Sequence, residues 1–90
     1  MKRVQIIIQG HVQGVFFRSF IKDRALELGL TGYTRNLGTK AVEVVVEGHE
    51  IKLNQLIEEC KKGPANSYVD EIKVTAFPYT GEFNQFRIKY

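Results

Sequence analysis

From Gly10 to Arg18 the chain reads Gly10-His11-Val12-Gln13-Gly14-Val15-Phe16-Phe17-Arg18, between an alternating run and a helical pattern. A glycine-bearing loop of this kind gathers backbone N–H groups at the positive end of a helix dipole, which suits an anion. The first turn beyond it holds Arg18 and no acid, Asp23 being the first carboxylate. A helix start normally favours Asp or Glu, so the negative charge is expected to come from outside, as a phosphate. Arg18 strengthens that reading, because a planar guanidinium clamps two phosphoryl oxygens and an ammonium cannot. The glycines alone say less and also fit a plain strand-to-helix turn. Gly14 is followed by Val15-Phe16 where a Walker loop needs Lys-Ser/Thr, and Gly10-x-x-x-Gly14 lacks the dinucleotide spacing.

The other polar residues narrow the chemistry by what they lack. Asn36 falls at the end of a second strand, where it either opens the turn or is carried beside the first loop. His11 lies inside the loop, facing solvent or the anion, and His49 opens a helix as a surface or capping residue. Glu58 and Glu59 are helical neighbours and diverge, so they do not form a catalytic acid pair. Cys60 falls on an apolar stripe as a small hydrophobe. No Ser-His-Asp or Cys-His set is evident, and no group of residues has metal-ligand spacing. An arginine, backbone amides and a side-chain amide, without metal or general acid, can hydrolyse a phosphate whose leaving group departs unaided. A carboxylate is such a group, already stable as an anion. Phosphoryl transfer is mostly positioning and charge stabilisation, which these residues supply.

Elements to position them follow from periodicity. Val4, Ile6 and Ile8 alternate with Gln5, Ile7 and Gln9 as a first strand. Phe17, Ile21, Ala25 and Leu28 form a helical core stripe, predicting a helix over Ser19–Leu28 that Gly29 ends. Leu30 to Leu37 and Ala41 to Glu47 pair as a hairpin about Gly38-Thr39-Lys40, with Val42, Val44 and Val46 on one face and Glu43 and Glu47 on the other. A second helix starts near Glu50, buries Leu53, Leu56, Ile57 and Cys60, and stops at Gly63-Pro64. Tyr68 to Phe77 is a fourth strand with Ile72, Val74 and Ala76 inward, and Phe86, Ile88 and Tyr90 alternate in a last short one. The order β-α-β-β-α-β plus a C-terminal strand is an α+β, ferredoxin-like split βαβ sandwich with two helices on one face of an antiparallel sheet.

Ninety residues make one domain, spanning 1–90, that buries roughly 60–65% of its unfolded surface. The net charge of +3 comes without a Lys/Arg stripe, which argues against a nucleic-acid partner. The two central strands, Val4–Gln9 and Ala41–Glu47, lack the aromatics on which RNA-recognition domains of this fold stack bases. The single cysteine fits a reducing cytoplasm. The N-terminal stretch is neither signal peptide nor membrane span.

The loop matches the acylphosphatase signature Gly-x-Val-Gln-Gly-Val-x-Phe-Arg at every defined position, and Gly32-Tyr33-Thr34-Arg35-Asn36-Leu37 resembles the family's second motif. The likeness continues through Val42-Glu43, Glu47-Gly48, Gly63-Pro64 and Phe86-Arg87-Ile88. It implies a ferredoxin-like fold and metal-independent hydrolysis of acyl phosphates to a carboxylate and phosphate, with no cofactor. By matched position, Arg18 binds the phosphoryl group and Asn36 orients the attacking water, while the amides of Gln13, Gly14, Val15, Phe16 and Phe17 cradle phosphate oxygens. A free-standing monomeric enzyme acting on a small acyl phosphate is expected, as against a domain of a larger maturation complex. The departure is Gly38-Thr39-Lys40, where the family commonly has Asp-Gly. Gly38 is expected to supply the positive φ there, and Lys40 to add charge near the mouth of the site.

Overall fold

Alternation builds the centre of the sheet. Ile6 and Ile8 of β1 (Lys2–His11) and Val42, Val44 and Val46 of β3 (Ala41–Gly48) are buried and face the same side. The computed structural model describes all 90 residues. The other elements are α1 (Phe17–Glu27), β2 (Thr31–Leu37), α2 (Glu50–Lys62), β4 (Tyr68–Phe77) and β5 (Phe86–Ile88). The strands lie in the order β4-β1-β3-β2-β5. Phe17, Ile21 and Ala25 of α1 and Leu53, Leu56 and Cys60 of α2 close one face of this sheet into a single core. This is the ferredoxin-like α+β arrangement the element order predicts. No helix is long and apolar enough to cross a membrane.

Three details differ from the sequence reading. The sheet is mixed, because β5 runs parallel to β2 while every other pairing is antiparallel. Residues 78–85 leave β4 beside the start of β1 and cross the open face to the start of β2, so β5 can only run in the direction of β2. Val74 and Ala76 are also more exposed than expected. Val74 is in register with Ile6, on the helix-bearing face, yet it is 43% exposed. β4 is an edge strand, and the helices cover the sheet's centre and stop short of that edge. Finally, β5 ends at Ile88, leaving Tyr90 outside it.

The open face is covered by the crossing segment, and β3 is therefore buried throughout. Glu47, only 1% exposed, accepts from the Arg3 Nε (2.8 Å), the Thr80 N–H (2.9 Å) and the Gly81 N–H (3.1 Å). Glu43 accepts from Gln5 Nε2 (2.8 Å) and Arg35 Nε (2.6 Å). Phe83 packs edge-on against Tyr33, with the Arg3 guanidinium 4.9 Å from its centroid. Buried carboxylates are tolerable only when paired in this way.

Gly32 makes the close layering possible. It sits between β3 and β5 at φ 140°, and a Cβ there would overlap the Val45 carbonyl. Only glycine fits such an approach.

Candidate active site

Phe16 sets the start of α1. It adopts a left-handed conformation (φ 62°, ψ 26°), and the helix begins at the next residue, two positions earlier than periodicity predicts. Phe17 is the reason, since its ring is the first buried side chain of the helix and meets Phe20 edge-on. A bulky residue in this backbone region costs about 1 kcal/mol. Because α1 begins at Phe17, Arg18 belongs to the first helical turn, which contains no acid. The Phe20 N–H donates to the Phe16 carbonyl (3.0 Å), which leaves the amides of Phe17, Arg18 and Ser19 without intrahelical acceptors. No oxygen of the chain accepts from the N–H groups of Gln13 to Phe16 either.

Gly14, Phe16, Phe17, Arg18 and Ser19 meet Asn36 of the second strand in one cleft of about 310 Å³, completed by Val12, Ile88 and Tyr90, whereas Gln13 and Val15 do not line it. Asn36 is in register with Val42, and thus with the helix-bearing face. Arg3, Arg24 and Arg35 each pair with a carboxylate, whereas Arg18 pairs with none. The Arg18 guanidinium carbon instead lies 5.1 Å from the centroid of the Tyr90 ring. No Asp, Glu, His or Cys lines the cleft, and nowhere in the chain do three such residues gather as metal ligands. The arrangement offers positive charge, free N–H groups and one neutral amide. It can hold an anion and a water, and its lining carries no carboxylate, imidazole or thiol to give or take a proton.

The remaining loop residues have other surroundings. Val15 packs against the core. Gln13 reaches the other way, its Nε2 donating to the carbonyls of Gly38 (3.1 Å) and Ala41 (2.9 Å), which ties the loop to the β2–β3 turn just past Asn36. The Gly10 N–H donates to the Lys40 carbonyl (3.0 Å) and fastens the same two segments again. Gly38 has φ 63°, so it supplies the positive φ that the turn requires without an Asp-Gly pair. Lys40 lines an adjoining cleft with His11, Gln13 and Asp70, not the one that holds Arg18 and Asn36. Cys60 is buried beneath α2, and burial, with Glu59 adding to it, pushes its thiol up to about 12. It is no nucleophile near neutral pH.

Periodicity gives no sign of the Gln13 link or of Ile88 and Tyr90 in the cleft wall. A glutamine amide is a donor wherever it sits, and its partners lie far along the chain. Ile88 and Tyr90 arrive only because β5 runs beside β2.

A family model described as acylphosphatase matches residues 4–88. An acylphosphatase of Syntrophus aciditrophicus (strain SB) is 44% identical over 90 residues, covering 100% of this chain and 94% of the relative. One of Caldivirga maquilingensis is 46% identical over 89 residues, covering 98% and 94%. The crystal structure of acylphosphatase from Bacillus subtilis is similar at a TM-score of 0.96 with 36% identity, and each chain is covered in full.

Proposed function

This chain belongs to the acylphosphatase family of enzymes, and on that premise we propose how its own residues hydrolyse the carboxyl–phosphate bond of acyl phosphates. The Arg18 guanidinium and the loop amides from Gln13 to Phe17 hold the phosphoryl oxygens. Asn36 orients a water, its side-chain carbonyl accepting a hydrogen bond from it so that a lone pair faces phosphorus. Water attacks in line, the P–O bond to the acyl group breaks, and its electron pair leaves on the carboxylate. The leaving group needs no proton, and the phosphoryl oxygens take the proton that the water loses. An Asp in place of Asn36 would repel the phosphoryl charge. A neutral amide does not.

One observation carries this reading. An arginine without a carboxylate partner, free backbone amides and Asn36 line the same cleft. Positive charge placed where negative charge develops is the chief source of catalysis in phosphoryl transfer. In this reading the enzyme is a cytoplasmic monomer acting on a small molecule, needing no metal or cofactor and engaging no nucleic acid or membrane. Purified protein is expected to release phosphate from benzoyl phosphate at an undiminished rate in EDTA. Abolition by EDTA, restored by a divalent ion, would refute the metal-free mechanism.

A further inference from the structure

Phe16 is explained neither by the core nor by the backbone. Its ring is 83% exposed, although the residue stands between the buried Val12 and Phe17. Its left-handed backbone suits glycine or asparagine better, so the ring itself accounts for a phenylalanine there. No cap hydrogen bond comes from its side chain. It also occupies a position that the loop signature leaves undefined, between Val15 and Phe17.

What the ring does do is line the cleft of Arg18 and Asn36, with Ile88 as further apolar wall and the exposed Tyr90 ring lying against the Arg18 guanidinium. An apolar wall contributes nothing to a phosphoryl dianion. The rest of an acyl phosphate is its acyl group, which follows the phosphoryl group into the cleft and can be apolar. We propose that Phe16 is the residue that recognises the acyl group, favouring acyl phosphates with apolar and above all aromatic acyl groups. This rests on the acyl-phosphate reading of the site. A flat acyl ring laid against Phe16 removes both faces from water and gains the offset or edge-on geometry that aromatic pairs prefer. The cleft, at about 310 Å³, holds a molecule of that size.

The test compares kcat/KM for benzoyl phosphate and acetyl phosphate in the wild-type protein, Phe16→Ala and Phe16→Tyr. Alanine keeps a Cβ, so the strained backbone is retained while the ring is lost. Differences in leaving-group reactivity cancel when the benzoyl-to-acetyl ratio is compared between proteins. Phe16→Ala is expected to lower that ratio about tenfold, and Phe16→Tyr to keep it near the wild-type value. An equal fall for both substrates in Phe16→Ala would make Phe16 a loop-holding residue and overturn the proposal, while leaving the enzyme reading intact. An unchanged ratio would overturn it as well. Wild-type protein that hydrolyses neither substrate would remove the acyl-phosphate reading and this inference together.

Discussion

An arginine with no carboxylate partner beside unpaired backbone amides keeps its donors for a ligand. Arg18 is such a residue, and the bidentate fork of a guanidinium matches two phosphoryl oxygens. Arg18→Ala is expected to raise KM and lower kcat, with kcat/KM falling about a thousandfold. Arg18→Lys should recover little of this, since one ammonium cannot span two oxygens. Asn36→Ala should mainly lower kcat, by about a hundredfold, because orienting water acts in the chemical step and not in substrate binding. Asn36→Asp should be slower still, from the charge it places against the phosphoryl group. Steady-state kinetics of the four variants decide this, and unchanged turnover in Arg18→Ala and Asn36→Ala would remove both residues from the mechanism.

Between elements, Gln13 links the two segments that carry Arg18 and Asn36. Arg18 rides on α1 and Asn36 on β2, and Gln13 ties the loop before one to the turn after the other through the Gly38 and Ala41 carbonyls. The Gly38 carbonyl is exposed and finds water if Gln13 is lost, so the stability cost falls chiefly on the carbonyl of the buried Ala41. Gln13→Ala should lose about 1 kcal/mol in urea unfolding and lower kcat by a larger factor than that loss suggests. Gln13→Glu should not restore activity, since a carboxylate cannot donate to two carbonyls. If kcat is unaffected, Gln13 serves only to hold the turn. The hairpin it grips is short and sharply turned, with Gly38 at φ 63°, so a small shift in the turn moves Asn36 directly.

Across the whole molecule, the open face of the sheet determines where the chain ends up. Thr80 and Gly81 bind Glu47, and Glu82 binds the same Arg3 that pairs with Glu47, so the crossing segment is strapped over β3 before it becomes β5. Burial by itself would raise the Glu47 carboxyl, but the Thr80 N–H and the Arg3 guanidinium outweigh it and hold the group below its ordinary value of 4.5. Glu82 is held low in the same direction, chiefly by its hydrogen bond from Arg3. A carboxyl whose folded pKa is depressed stabilises the fold above its unfolded pKa, and that contribution is lost as pH falls through the folded value. Unfolding free energy is therefore expected to decline below about pH 4.5. Glu47→Gln should lose about 2 kcal/mol at pH 7 and show a flatter decline in acid. Denaturant titrations at pH 7 and at lower pH measure both effects, and parallel pH profiles for the two proteins would contradict the role given to Glu47.

Local pattern alone determined the order of the elements and the centre of the core. Alternation in β1 and β3, the stripes Phe17–Ile21–Ala25 and Leu53–Leu56–Cys60, and the stop at Gly63 are each set by residues within one element, because period and propensity act over a few positions. Arg18 was legible for the same reason, as a charged fork at a helix start. Local pattern left Asn36 open between a turn residue and a partner of the loop, and the register of β2 decides that it lines the cleft. Tertiary structure decided everything that depends on residues far apart in the chain. Period 2 marks Val74 as facing the helices but cannot say that they stop short of it. It puts Glu43 and Glu47 on the second face but not beneath a strap with Arg3 and Arg35 as partners. That β5 lies parallel to β2, bringing Ile88 and Tyr90 to Arg18, follows from which end of the sheet the chain crosses. A side chain's periodicity reports which way it faces, and only the path of the rest of the chain supplies what it meets there.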